Sequence, residues 1–198
     1  MTCSFNRKAV RSSIRQQRRS LSPSTHRHNQ IKVLQHLKRS RLLQQHNRFA
    51  IYLHADGELH TDLLIDYLLK QHKQVYLPVL YPLNQNRLWF VPYDTRNNMR
   101  RNRFNIQEPA NIQQRLAARF IDVILMPLVG FDLNANRLGM GGGFYDRTLA
   151  RQAVSSSQRP KCIGLAHELQ KLDQIENQSW DKKLDAVITQ DAFYNFAL

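Results

Sequence analysis

The stretch Asp132 to Arg147, reading Asp-Leu-Asn-Ala-Asn-Arg-Leu-Gly-Met-Gly-Gly-Gly-Phe-Tyr-Asp-Arg, gathers the groups in this chain best suited to handling phosphate. Four of the seven glycines fall there, at Gly139, Gly141, Gly142 and Gly143. Glycine is costly in chain entropy wherever it is fixed, and close approach of backbone to a ligand is one reason to use it. An apolar run, Val123 to Leu128, precedes the stretch, and Tyr145, Leu149 and Ala153 follow at helical spacing. A loop opening onto a helix N-terminus offers unpaired N–H groups to an anion. Arg137 adds a guanidinium able to grip phosphate bidentately, and Asp146 a hard oxygen ligand for Mg²⁺. Asp146 would equally serve as a partner for the helix dipole. Two common cradles do not fit. Phe144 stands where a dinucleotide fingerprint needs its third glycine, and no Gly-x-x-x-x-Gly-Lys-Ser/Thr occurs.

The elements that must position this loop follow from periodicity. Arg7, Arg11 and Arg15 are spaced to line one face of a helix over 5–20. Ser22 and Pro23 punctuate the chain as N-cap and first helical residue, and Ile31, Leu34, Leu37, Leu42 and Leu43 predict an amphipathic helix reaching about residue 46. Short apolar runs predict strands at 48–54, 74–80, 88–93, 122–127, 162–166 and a final one at 186–189. Pro78 places its residue at a strand end or edge. A turn is expected at Ala55-Asp56-Gly57, a helix capped by Thr61 with Leu63, Leu64, Tyr67 and Leu68 inward, an exposed basic loop over 95–104, and a helix near 111–118. Alternating strands and helices, with strands apolar on both faces, predict one domain over 1–198. It is a three-layer α/β/α sandwich with a mainly parallel, Rossmann-like sheet, and residues 1–22 contribute a basic N-terminal helix to the anion site.

The formal charge of +14 points to polyanionic partners. Residues 1–55 hold twelve Lys or Arg and no acid, leaving seventeen basic against fifteen acidic residues beyond them. A nucleic-acid-binding module using the N-terminal segment is therefore the alternative reading, although no signature of an RNA- or DNA-binding fold is present. The same acid-free start has the composition of a transit peptide, which a basic helix at an anion site explains as well. Cys3 and Cys162 form neither a disulfide framework nor a metal spacing, so a reduced, cytoplasmic protein is expected. No apolar run is long enough to span a membrane.

Pro127-Leu-Val-Gly-Phe-Asp132 followed by Arg137-Leu-Gly-Met-Gly-Gly-Gly-Phe-Tyr-Asp146 resembles the signature of the 5-formyltetrahydrofolate cyclo-ligase (methenyltetrahydrofolate synthetase) family. The resemblance covers nearly the whole chain. Ala50 to Thr61, Val75 to Pro78, Ile106 to Pro109, Ile163 to Ala166, Trp180-Asp181 and Leu184-Asp185 stand in the family's order. It implies ATP- and Mg²⁺-dependent cyclisation of 5-formyltetrahydrofolate to 5,10-methenyltetrahydrofolate, with ADP and phosphate released after phosphorylation of the formyl oxygen.

On that resemblance, Arg137 and Asp146 are the catalytic pair. Arg7, Arg11, Arg137, Leu138, Gly139, Met140, Gly141, Gly142, Gly143, Phe144 and Tyr145 hold ATP. Glu58, Met140, Gly143 and Phe144 meet the folate, Glu58 accepting hydrogen bonds from the pterin. Asp146 and Asp185 hold Mg²⁺. Lys8 and Arg15 offer the same chemistry as Arg7 and Arg11 in a shifted register. Relatives often carry Lys at the position of Gly142, Arg or Tyr at Met140, Tyr at Phe144 and Lys at Arg7. The site is therefore expected to borrow positive charge from the N-terminal helix, so the two basic regions should meet. Trp89, Phe90 and Tyr93 suit either core or pterin. His26, His28, His36 and His46 in the basic N-terminal region show no metal-ligand pattern, and His167, after a strand end, has no assigned role. The expected form is a monomer in the cytoplasm with a folate substrate, no membrane and no nucleic acid.

Overall fold

The computed structural model describes residues 5–82, 85–150 and 159–196. Cys3 and Ala153 lie outside them. A seven-stranded sheet is built from β1 (Arg48–Ile51), β2 (Gln74–Leu80), β3 (Leu88–Pro92), β6 (Val123–Pro127), β9 (Lys161–Leu165), β10 (Ala186–Ile188) and β11 (Phe193–Asn195), in the order β11-β10-β9-β6-β1-β2-β3. The five inner strands are parallel, and the edge strands β3 and β11 are antiparallel to their neighbours. Two small hairpins stand outside it, β4 (Met99–Arg101) with β5 (Gln107–Pro109) and β7 (Gly130–Phe131) with β8 (Arg137–Leu138).

Strand alternation divides the core. Phe49, Ile51, Val123 and Leu125 face one side, where α2 (Pro23–Arg39) supplies Val33 and Leu37 and α4 (Asp62–Lys70) supplies Leu64, Ile65 and Leu68. Ala50, Ile124 and Met126 face the other, covered by Leu149 of α5 (Phe144–Ala150) and by Ala118 and Ile121 around a short 3₁₀ turn. Three layers result, as expected. Each fully buried aliphatic side chain contributes roughly 1.5–3 kcal/mol. A third cluster joins α1 (Arg7–Arg19) to the β7/β8 hairpin through Ile14, Val129, Leu138 and Ile175. Asn6 caps α1 by accepting from Ala9 N at 3.1 Å, and Ser22 caps α2 by accepting from Thr25 N at 3.1 Å ahead of Pro23.

Several local expectations are corrected. The second helix stops at Arg39, and Leu42–Gln45 forms a separate turn, α3. Thr61 precedes α4 without capping it, its hydroxyl turned away to donate to Tyr52 O at 2.7 Å, and Ile65 joins the buried face while Leu63 and Tyr67 are only half-buried. No α-helix forms over 111–118. Leu116 instead exchanges both backbone bonds with Phe90 (2.7 and 3.0 Å), and Asn111 accepts from Gln113 N at 3.0 Å in a local turn that competes with helix. Part of the basic loop over 95–104 pairs as β4, held by buried Glu108, which accepts from Arg100 at 3.0 Å and from Leu80 N at 3.2 Å. Residues 186–189 are not the last strand, since β11 follows. Pro78 sits inside a central strand, beyond the last residue of β2 paired with β1, with Phe90 as its partner across β3.

Candidate active site

The chain leaves β1 toward β2 on one side of the sheet and β6 toward β9 on the other. The loops after two such adjacent strands diverge and leave a crevice at their carboxyl ends, the usual ligand position in open α/β sheets. A cleft of about 1280 Å³ opens there, lined by Tyr52 and Leu53 after β1, Leu77 and Pro78 of β2, Pro127 of β6 and the whole run Gly139 to Arg147. It exceeds the roughly 300–1,000 Å³ of a pocket for one small ligand. Two substrates can lie in it together.

The glycine loop is held from behind. Asp132, fully buried, accepts from Asn134 N, Asn136 N, Asn136 Nδ2 and Ile175 N, each at 2.9 Å, which fixes the turn between β7 and β8. That turn delivers Arg137 to the cleft. Gly141 and Gly143 have φ of +102° and +65°, a region other residues rarely adopt. Arg147 Nη1 and Asn86 Nδ2 both donate to Gly142 O, at 2.6 and 3.2 Å, and Phe144 meets Phe104 edge to face at 5.6 Å.

Arg137 Nη2 is ion-paired with Asp146 Oδ1, which also accepts from Lys182 N at 3.2 Å. The Arg137 side chain is 5% exposed and that of Asp146 is 17% exposed, so the pair is drawn largely out of water. Tyr145 lies with its ring centre 5.9 Å from the guanidinium carbon, and burial pushes its phenol up from the ordinary value, leaving it neutral.

Helix α1 forms the opposite wall. Arg7 Nη2 donates to Asp181 Oδ2 at 2.8 Å, Arg11 Nε to Gly139 O at 2.8 Å and Arg15 Nε to Asp56 Oδ2 at 2.8 Å. The expected meeting of the two basic regions therefore occurs. Asp56 also takes Arg18 Nη2 at 2.7 Å and pairs with Arg19. Burial would raise the Asp56 carboxyl, but hydrogen bonds from Arg15, Arg18 and Arg19 outweigh it and hold the carboxyl at about 2. Gly57 lets α1 sit this close, since a Cβ there would meet the Arg18 backbone at 2.9 Å. Glu58 lines the same wall. Burial pushes its carboxyl up to about 7 against the pull of Arg18, and its Oε2 accepts from Ala55 N at 3.0 Å.

Most of the residues expected in the site line one cleft: Arg7, Arg11, Glu58, Arg137, Gly139, Met140, Gly141, Gly142, Gly143, Phe144, Tyr145 and Asp146. Leu138 does not. It is fully buried beneath the loop, in the cluster under α1. Asp185 also stands apart: its oxygens accept from Arg159 Nη2 at 2.7 Å and Cys162 N at 2.8 Å, where the chain enters β10. His167 is buried against Asn29 Nδ2 at 2.9 Å rather than in the cleft. Phe90 is core, whereas Trp89 and Tyr93 are half-buried and outside the cleft.

Sequence reasoning missed Asp181, which joins Arg7 to the cleft wall, and Asp56, which gathers three arginines. Arg18 was legible as a continuation of the Arg15 face at i+3. Nothing local marked Asp181 above Asp185. As ligands, Asp146 and Asp181 provide hard carboxylate oxygens on the same cleft as the loop, a donor set that suits a Mg²⁺ ion shared with phosphate oxygens.

A family model described as the 5-formyltetrahydrofolate cyclo-ligase family matches residues 4–190. The 5-formyltetrahydrofolate cyclo-ligase of Haemophilus influenzae is 38% identical over 179 residues, 90% of this chain and 94% of that protein. That of Escherichia coli is 37% identical over 177 residues, 89% and 96% respectively. Among solved structures, Aquifex aeolicus 5,10-methenyltetrahydrofolate synthetase superposes with a TM-score of 0.81 at 26% identity, covering 96% of this chain and 92% of that one.

Proposed function

The chain belongs to the 5-formyltetrahydrofolate cyclo-ligase family, and we propose that it cyclises 5-formyltetrahydrofolate to 5,10-methenyltetrahydrofolate at the expense of ATP. The observation that carries the reading is the cleft itself. It is wide enough for two substrates, and its glycine loop is clasped between Arg11 on one side and the Arg137–Asp146 pair on the other.

The formyl oxygen is a weak nucleophile, and in-line alignment with the γ-phosphate must supply much of the rate. The loop backbone from Gly139 to Gly143 takes the phosphates, with Arg7 and Arg11 approaching from α1. Arg137, Asp146 and Tyr145 line the same cleft. Charge that spreads over the phosphoryl oxygens during transfer is stabilised by guanidinium groups already fixed in place, at little reorganisation cost. Transfer of the γ-phosphoryl breaks its bond to the departing ADP, and the new oxygen–phosphorus bond turns the formyl oxygen into a good leaving group, so that N10 closes the ring, gives up its proton to solvent, and phosphate departs. Mg²⁺ held by Asp146 would neutralise phosphate charge, and Asp181 is better placed than Asp185 to assist. Glu58 reads the pterin through its carboxyl, while Met140, Gly143 and Phe144 bound the folate.

The remaining parts of the proposal are a monomer working in the cytoplasm without nucleic acid. Arg7, Arg11, Arg15, Arg18 and Arg19 make contacts within the chain, which turns much of the basic helix inward. No helix among the described residues is long and apolar enough to cross a membrane. The deciding assay follows near-UV absorbance of the methenyl product with folinate, Mg²⁺ and ATP. A rise dependent on ATP supports the proposal, and no rise from folded protein refutes it.

A further inference from the structure

Next to the cleft, and outside its lining, His54, His60 and Asp62 bring one ligand atom each to within 4.8 Å of the others. The chain is built to hold them there. Beyond β1 it turns back through Asp56 and Gly57, both at positive φ. Tyr52 Oη donates to Leu59 O at 3.2 Å and Thr61 Oγ1 to Tyr52 O at 2.7 Å, which closes the loop at its base. His60 consequently lies over His54, ring centres 4.0 Å apart and 22° from parallel, and Asp62, the first residue of α4, reaches the pair. His54 Nδ1 is 3.7 Å from Asp62 Oδ1, buried, and without a hydrogen-bond partner among the described residues. Behind them His26 stacks on His60 at 4.5 Å, so His60 is supported on both faces.

We propose that His54, His60 and Asp62 form a binding site for a divalent transition-metal ion, distinct from the Mg²⁺ site of the nucleotide cleft. Two imidazoles and one carboxylate suit Zn²⁺, Co²⁺ or Ni²⁺, whereas Mg²⁺ takes oxygen ligands and retains water. Three protein ligands leave a fourth position to water. To meet bond lengths of roughly 2.0–2.2 Å the ligand atoms must draw closer and the His54 ring must turn out of its stack on His60, because the in-plane lone pairs of near-parallel imidazoles do not converge on one ion; the Asp62 side chain, 60% exposed, is free to swing. A bound ion would clamp the loop that carries Asp56 and Glu58 into the cleft.

The test is titration of the full-length protein with Co²⁺ in excess Mg²⁺, followed by visible d–d absorption and calorimetry. One equivalent of Co²⁺ is expected to bind, with tetrahedral-type absorption and a higher melting temperature. Asp62→Asn should weaken it by at least the roughly 10- to 100-fold that loss of a supporting partner costs, and His60→Gln should remove the saturable phase. Asp62 is exposed, so its variant keeps the test meaningful if His60→Gln folds poorly. Failure of the wild type to take up one equivalent, or equal affinity in Asp62→Asn, overturns the site. Neither result bears on folate turnover, so the metal site and the proposed reaction stand or fall separately.

Discussion

Arg11 Nε donates to the carbonyl oxygen of Gly139 at 2.8 Å, across 128 positions of sequence. Together with Arg7 on Asp181 and Arg15, Arg18 and Arg19 on Asp56, this bond makes the first helix a wall of the cleft. It also places the guanidinium carbon 3.7 Å from where a Cβ on Gly141 would lie, so positive charge reaches a loop that has no lysine of its own.

Replacing Arg11 with Ala is expected to weaken Mg·ATP binding about 10- to 100-fold, the equivalent of a charge-assisted hydrogen bond of roughly 1.5–3 kcal/mol. Arg11→Lys should recover only part of it, because a point charge lacks the planar fork. Calorimetry with a non-hydrolysable ATP analogue measures this, and unchanged affinity in Arg11→Ala would show that α1 is merely a cover.

Arg137→Ala and Asp146→Ala should each abolish turnover. Because their pair is largely out of water, each single change should also cost about 3–5 kcal/mol by leaving a buried charge uncompensated. A double variant, Arg137→Met with Asp146→Leu, is expected to be more stable than either single one and still inactive. Chemical denaturation gives the stabilities, and near-wild-type stability in both single variants would contradict the burial of the pair.

Glu58 predicts a pH signature. Its folded carboxyl titrates at about 7 against 4.5 for the free group. The protonated form is favoured by folding, so this contribution is complete below pH 4.5 and is lost as pH rises through 7. The loss amounts to about 3 kcal/mol at most. Glu58→Gln should flatten the stability profile over that interval, and a profile identical to wild type would place the Glu58 titration elsewhere. If the ionised carboxylate reads the pterin, folate affinity should rise across the same interval and lose that dependence in Glu58→Gln.

Gly142→Lys should fold. The position does not require positive φ, and an added Cβ would come within 2.7 Å of the Phe144 ring edge, a side chain able to rotate. ATP affinity should hold or rise while the Phe144 surface offered to folate shifts, so KM for folate should increase. Loss of folding, read by circular dichroism, would mean that Phe144 cannot yield.

Asp185→Asn is expected to lower stability through Arg159 and Cys162 N while leaving the Mg²⁺ requirement unchanged, whereas Asp181→Asn should raise it. The comparison is a Mg²⁺ titration of activity in both variants. A raised requirement in Asp185→Asn alone would restore Asp185 as the second metal ligand.

Local chemistry was readable wherever neighbours in sequence act together. The glycine spacing, Ser22 before Pro23, and Arg7, Arg11 and Arg15 on one helical face describe interactions within a few residues. The apolar runs likewise fixed the inner strands, because a strand covered on both faces must be apolar throughout. Where long-range pairing competes with local preference, the expectation failed. Residues 111–118 have helical spacing, yet Leu116 gives its backbone to Phe90. The basic segment before Phe104 reads as a loop until buried Glu108 gathers it into a hairpin.

By itself, the sequence determined the strand–helix alternation, the glycine loop and its charged companions, and the family to which these belong. Only the tertiary structure decided which acids share a cleft with that loop. Asp181 and Asp185 differ by four residues, but the turn into β10 carries Asp185 to Arg159 and the Cys162 amide while Asp181 pairs with Arg7 on the cleft wall. The stack of His26, His54 and His60 arises in the same way, from the reversal at Asp56 and Gly57 and from a helix packed over it. Such groupings depend on how separate segments dock, a matter of burial and hydrogen-bond satisfaction across the whole molecule that residue type and spacing do not encode.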